Sequence, residues 1–231
     1  MADTFDLVLK GATIVSHAGE SVADLAIEDG RIAALGDIAA SSAGRVIDAK
    51  GLHILPGVID SQVHFREPGL EHKEDLASGS RAAVLGGVTA VFEMPNTKPA
   101  TTTAEALADK VARARNRMHC DFAFFVGATK HNIDELPTLE RLEGSAGIKI
   151  FAGSSTGDLL VDDEASLLRI LAKIRRRAAF HSESEARLQE RANVRRAGDV
   201  SSHSEWRDAE AALASTEMLL RLARQSGKRI H

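Results

Sequence analysis

The sequence predicts an α/β protein built from a small β unit over residues 1–55 and a parallel βα series over residues 56–231. Three observations carry that reading. Residues 5 to 55 are short apolar runs separated by turn signals. From Pro56 onward, apolar runs of strand length alternate with segments of helical period. The 231 residues, 44% hydrophobic and 27% charged, suffice for a sizeable core.

In chain order, the β unit reads FDLVLKGATIV, then VADLAIEDGRIAALG with Asp29-Gly30 at a hairpin turn, then RVIDAKGLHIL. The strands of the second part are HILPGVIDSQVHF, VTAVFEM, DFAFFVG, GIKIF and AAFH, with RIH beginning a sixth. Helices separate them. One spans Thr103 to Met118, where Leu107, Val111, Ala114 and Met118 share a face and Thr102 with Glu105 forms a capping box. Another spans Asp163 to Arg177, with Leu167, Leu171 and Ile174 on one stripe. The last runs from about Asp208 to Gln225, with Ala209, Ala212, Leu213, Thr216 and Leu220 inward and Gly227 as its stop. Such a series can close as an eight-stranded barrel or stay an open doubly wound sheet. Gly86-Gly87 sits between a helix and a strand, where it reads as a helix stop and not a phosphate loop.

Composition narrows the function classes. The 33 acidic and 29 basic residues are interspersed, leaving no basic stripe for nucleic acid or a membrane surface, so a small-molecule substrate is expected. The run Arg175-Arg176-Arg177 at a helix end suits solvent and the helix dipole. A single cysteine, Cys120, rules out an internal disulfide and a Cys-rich zinc framework. With no leader-like N-terminus and no apolar run of bilayer length, the expected location is cytoplasmic.

The chemistry-bearing residues fall at strand ends. In DSQVHFREPG a side-chain period of two sends Asp60, Gln62 and His64 to one face, at the rim where sites of parallel barrels are built. Other strand ends add Glu93-Met94-Pro95-Asn96-Thr97 and His181-Ser182-Glu183, and Lys149 lies inside GIKIF. An inward Lys149 between Ile148 and Ile150 needs a partner or must lose its charge. Pairing with Glu93 or Glu183 would satisfy it; a neutral amine could instead take up carbon dioxide as a carbamate, an anionic metal ligand.

In this order and spacing, PGVIDSQVHFREPG, EMPNT, GIKIFAGSS and FHSE resemble the dihydroorotase branch of the amidohydrolase superfamily, and DLAIEDGRIAALG resembles the superfamily's N-terminal hairpin. The resemblance implies a metal-dependent (β/α)8 TIM barrel, incomplete here, after the N-terminal part of a small β-sandwich. It implies metal ligation by His64, His181 and Gln62 on one or two ions, Zn²⁺ or another divalent metal, with carbamylated Lys149 bridging the two where both are bound, and a catalytic role for Lys149 and His64. Arg66 and Asn96 would hold the α-carboxylate of the substrate, since a guanidinium fork matches a carboxylate and an amide N–H adds a third bond. The implied reaction is the reversible cyclisation of N-carbamoyl-L-aspartate to L-dihydroorotate in pyrimidine biosynthesis, carried out by a homodimer.

Two departures from the family pattern qualify these expectations. Most members have His where Gln62 stands, so a neutral, weaker ligand is expected there. The family also draws a His from strand six and an Asp from strand eight. Five strands and part of a sixth do not close a barrel, so the chain is expected to be a fragment without activity of its own. The alternatives are a non-catalytic dihydroorotase-like partner subunit and a hydantoinase- or allantoinase-like cyclic amidohydrolase. His203, in SSHSEWRDAEA, is expected at the surface or in a cap.

Overall fold

Asp29 and Gly30 both take left-handed backbone, at φ 50° and 70°, the pair a two-residue type I′ hairpin needs. In the computed structural model, which describes residues 5–153 and 157–231, they join β2 (Gly19–Glu28) to β3 (Arg31–Gly36). Residues 1–4 and Ser154 and Ser155 of the GIKIFAGSS motif lie outside the described residues. Chain contacts divide the protein into Met1–Gly57 and Val58–His231.

The first unit is one mixed sheet in the order β3-β2-β1-β4, with β1 (Phe5–Ser16) at its heart. The strands β4 (Ala43–Asp48) and β5 (His53–Ile54) run parallel to successive stretches of β1. Among the described residues this is a single sheet layer of the expected sandwich. Val8, Ala26 and Ile38 form its buried cluster. Beside it Asp24 accepts hydrogen bonds from Lys10 Nζ at 2.5 Å, Gly11 N at 2.8 Å and Ile38 N at 2.9 Å. Lys10 first, then the Ile38 and Gly11 amides, hold the Asp24 carboxyl down at about 2, against an ordinary 3.8. A depressed carboxyl stabilises the fold above its unfolded pKa and ceases to as pH falls through the folded value. Thermal unfolding followed from pH 5 to about pH 2 is therefore expected to lose stability progressively, and Asp24→Asn to flatten that dependence.

The second unit is a parallel sheet in sequential order, β6 (Val58–Val63), β7 (Val88–Glu93), β8 (Asp121–Gly127), β9 (Ser145–Phe151) and β10 (Ala179–His181). Ile230 bridges in parallel to Ala178, and Phe180 N donates to His231 O at 2.8 Å, so RIH takes the sixth position as the sequence predicts. This curled α/β half-barrel is the class expected.

Between and after the strands come α1 (Leu76–Leu85), α2 (Ala104–Ala114), α3 (Leu136–Leu139), α4 (Glu164–Lys173), α5 (Glu185–Glu190), α6 (Ser201–Trp206) and α7 (Ala209–Ser226). Asp75, Thr103, Asp163 and Asp208 cap four of them through side-chain oxygens. Gly86 ends α1 and a left-handed Gly227 ends α7. The main core lies between strands and helices. There Val91, Phe124, Val126, Ile148 and Ile150 meet Leu107, Leu167, Leu171 and Leu222. The opposite, barrel-interior face carries Met94, Phe125 and Ala179.

Two expectations about helices change. The cap of α2 is Thr103, whose Oγ1 accepts from Ala106 N at 3.2 Å. In α7 the buried stripe is Ala211, Ser215, Leu219 and Leu222, while Ala209, Ala212, Leu213, Thr216 and Leu220 are exposed. Apolar residues lie on both sides of this helix, so periodicity alone cannot choose the side; packing does.

Candidate active site

Strand alternation sets the directions from which the site is built. Val63 pairs with Glu93 and packs against the helix-covered core, so Gln62 and His64 face the barrel interior. On β9, Ile148 and Ile150 enter the outer core, which leaves Lys149 and Phe151 inward beside Ala179 and His181 of β10. Gly127 of β8 lies opposite Lys149 and adds no side chain there.

The chain leaving β6 is held from outside. Glu67 is buried and its carboxylate is gripped by Arg117 at 2.7 and 3.1 Å while accepting Leu76 N at 3.1 Å. Arg113 stands 3.7 Å from the same group. Glu67 is thus engaged behind the rim, and half-buried Arg66 forms no ion pair among the described residues. Arg66 itself sits at φ 59°, a left-handed backbone uncommon for a non-glycine residue.

The loops after β6 and β7 clasp each other. Lys98 N donates to Pro68 O at 2.9 Å, and Gly69, at φ 87°, approaches Lys98 so closely that a Cβ would lie 2.1 Å from its carbonyl oxygen. Gly69→Ala is expected to cost about 1–3 kcal/mol, read by denaturant unfolding; unchanged stability would show that the clasp yields freely. The clasp brings Asn96 to His64, with Oδ1 2.8 Å from Nδ1. An amide oxygen only accepts, so Nδ1 carries the hydrogen and the lone pair of a neutral ring lies on Nε2. Burial, with Arg66, Lys149 and Lys110 nearby, lowers the His64 pKa despite the Asn96 bond and favours that neutral ring. The Asn96 amide NH₂ is left to meet a ligand. Arg66 and Asn96 line one cavity of about 580 Å³ with Thr97, Lys98, Thr102 and Asp158.

Lys149 is 1% exposed, with Nζ 5.2 Å from the Phe151 ring centre. Burial pulls its pKa down to about 8. Neither carboxylate that could have neutralised it does so. Glu93 turns to the helix layer and makes a short contact with Lys110, whose Nζ also donates to Met94 O at 3.1 Å. This revises the reading that placed Glu93 at the inner rim: Glu93 pairs with Phe124, an outer-core residue, and burial raises its carboxyl to about 7. Glu183 is bound by Arg207 and by His181. Lys149 therefore has no ion-pair partner among the described residues, which leaves it available for modification.

His181 stacks on Phe151 with centroids 6.1 Å apart, and its Nε2 lies 2.5 Å from Glu183 Oε2. Gly153 makes the loop contact behind it, since a Cβ there would fall 2.1 Å from Glu183 O. Gln62 is exposed; its backbone N–H donates to Asp60 Oδ1 at 2.9 Å, and no hydrogen bond joins its side chain to the other site residues among those described.

The arrangement can be tested for fit to a metal. Among the described residues no group of three His, Cys, Asp or Glu side chains could hold an ion. His64 and His181 supply two imidazoles, and the set fits a divalent cation once Lys149 bears an anionic carbamate oxygen. Sequence reading missed Arg207, Lys110 and Arg117. Lys110 carried a signal, since its position falls on the buried Leu107 and Ala114 face of α2.

A family profile described as dihydro-orotase-like matches residues 51–152. The chain is 34% identical over 236 residues to an allantoinase of Deinococcus radiodurans, covering 99% of this chain and 52% of that protein. It is 36% identical over 232 residues to a dihydroorotase of Methanosarcina mazei, covering 98% and 50%. Among solved structures, the L-hydantoinase (dihydropyrimidinase) of Arthrobacter aurescens superposes with a TM-score of 0.89 at 28% identity, over 98% of this chain and 52% of that one. The chain spans about half the length of the curated relatives it matches. No described helix is long and apolar enough to cross a membrane.

Proposed function

We propose, on the premise that this chain belongs to the amidohydrolase superfamily, that it carries part of the active site of a cyclic amidohydrolase, and that within this class the substrate pair is L-dihydroorotate and N-carbamoyl-L-aspartate. The observation that carries the finer reading is Arg66: a guanidinium without a carboxylate partner among the described residues, beside Asn96 on one cavity and next to His64. A substrate bearing a carboxylate beside its ring satisfies that fork, whereas uncharged hydantoin leaves it unpaired.

His64 through Nε2, His181 through Nδ1 and carbamylated Lys149 would hold Zn²⁺ or a similar divalent cation, with Gln62 as a weaker oxygen donor on the same strand face. When bound, such an ion lowers the pKa of water and polarises an amide carbonyl. This chain's own residues bind and orient. Arg66 and the Asn96 amide fix the substrate carboxylate, Asn96 Oδ1 holds the His64 tautomer, and Phe151 covers the buried Lys149 amine. In ring opening, the oxygen of water joins the ring carbonyl carbon, the ring C–N bond breaks and the nitrogen leaves as a ureido NH₂ after taking a proton. Cyclisation reverses each change.

The sequence relatives named allantoinase favour a second reading, in which the same site opens allantoin. The full-length protein is expected to form carbamoyl aspartate from dihydroorotate, to lose that activity on prolonged chelation and to regain it with zinc. Undiminished turnover after verified removal of metal would overturn the metal-dependent reading.

A further inference from the structure

Arg207 lies outside every motif that the sequence singled out for chemistry, yet it reaches the site. It follows α6, and its backbone N–H donates to His203 O at 2.9 Å. The preceding Trp206 is pinned through Nε1 to Leu188 O at 2.7 Å, and its ring lies 6.0 Å from the Arg207 guanidinium. The following Asp208 caps α7 and grips Arg187 at 2.6 and 2.8 Å. Held from both sides, the Arg207 side chain delivers a two-point grip on Glu183: Nε donates to Oε1 at 2.7 Å, and Nη2 makes a short contact with Oε2. Nη2 also stands 3.3 Å from His181 Nε2.

We propose that Arg207 and Glu183 are positioning residues that fix the tautomer and ring orientation of His181, so that its Nδ1 lone pair is the one presented to a divalent cation; this rests on the amidohydrolase reading above. A carboxylate accepts and does not donate, so the His181 nitrogen 2.5 Å from Glu183 carries the hydrogen. In a neutral imidazole the lone pair is then on Nδ1. Phe151 stacked on the ring fixes its plane, and the carboxylate fixes its rotation about that plane. Without Arg207 the carboxylate would be free to turn away, or to compete as a ligand itself. The arrangement mirrors the rim at His64, where Asn96 ties Nδ1 and frees Nε2. Each histidine thus has one nitrogen tied by a neighbour and the other left open, and a carboxylate or carbonyl behind a ligating histidine is the usual means of orienting it.

The test uses the full-length protein, wild type and the variants Arg207→Met, Arg207→Lys and Glu183→Ala. Long-range ¹H–¹⁵N correlation spectra of the metal-free protein report the His181 tautomer, and competition with a chromophoric chelator reports zinc affinity. The wild type is expected to hold His181 with the hydrogen on Nε2. Arg207→Met and Glu183→Ala are expected to mix the tautomers and weaken zinc by about 10- to 100-fold, with melting of the metal-free protein unchanged and KM unmoved. Arg207→Lys, which keeps the charge but loses the fork, should fall between. A wild-type hydrogen on Nδ1, variants that bind zinc as tightly as wild type, or a melting temperature that falls in step with affinity would each overturn the inference. A wild type that binds no zinc at all would instead overturn the metal-dependent reading, and the tautomer measurement would still decide the roles of Arg207 and Glu183.

Discussion

Lys149→Met in the full-length protein is expected to lower ring-opening kcat/KM by about 10³-fold or more and to release bound divalent metal, while the protein stays folded. The reason is the isolation of this amine. It is 1% exposed, burial brings its pKa to about 8, and both acidic candidates are committed elsewhere, Glu93 to Lys110 and Glu183 to Arg207 and His181. An unpaired amine at such depth is costly unless it is modified or coordinated. Met keeps the unbranched stem over Phe151 and removes only the nitrogen, so packing is nearly conserved. The competing idea, that Lys149 is merely a tolerated buried amine, makes the opposite forecast: the variant would melt higher and keep its activity. Measuring melting temperature, metal content and rate on one preparation separates the two.

Arg66→Met is expected to weaken kcat/KM for dihydroorotate by about 2–5 kcal/mol, or roughly 30- to 5000-fold, and to leave the rate on hydantoin, which has no carboxylate, within a few-fold of wild type. Glu67 cannot substitute for the lost function or account for it, because its carboxylate is held by Arg117, Arg113 and the Leu76 amide behind the rim. A parallel loss on both substrates would assign Arg66 to the integrity of the clasped loops and not to carboxylate recognition. Retained activity on dihydroorotate would remove the observation on which the choice of substrate rests.

Local signals of the fold were legible in the sequence, and long-range ones were not. Asp29-Gly30 gave the hairpin because only backbone torsions decide it, and the left-handed Gly87 and Gly227 mark the ends of α1 and α7 for the same reason. The inward period of Gln62 and His64, and of Lys149 among isoleucines, followed from a spacing of two. Glu93 misled because its partner, Lys110, sits 17 residues away on a helix, and a strand-end carboxylate looks the same whether it faces the barrel or the helix layer. The Asn96 bond to His64 depends on two loops meeting across 32 residues, and the Arg207 clamp on Glu183 spans 24. In α7 two apolar stripes competed, and tertiary packing selected the one containing Ser215 over the one containing Leu213 and Leu220.

Substrate choice is the centre of the account, and kcat/KM of the full-length, zinc-loaded protein on L-dihydroorotate, allantoin and hydantoin measures it directly. The carboxylate-binding role proposed for Arg66 and Asn96 predicts that dihydroorotate is preferred by at least about 30-fold and that the preference collapses in Arg66→Met. Equal or faster opening of allantoin or hydantoin by the wild-type protein would contradict it.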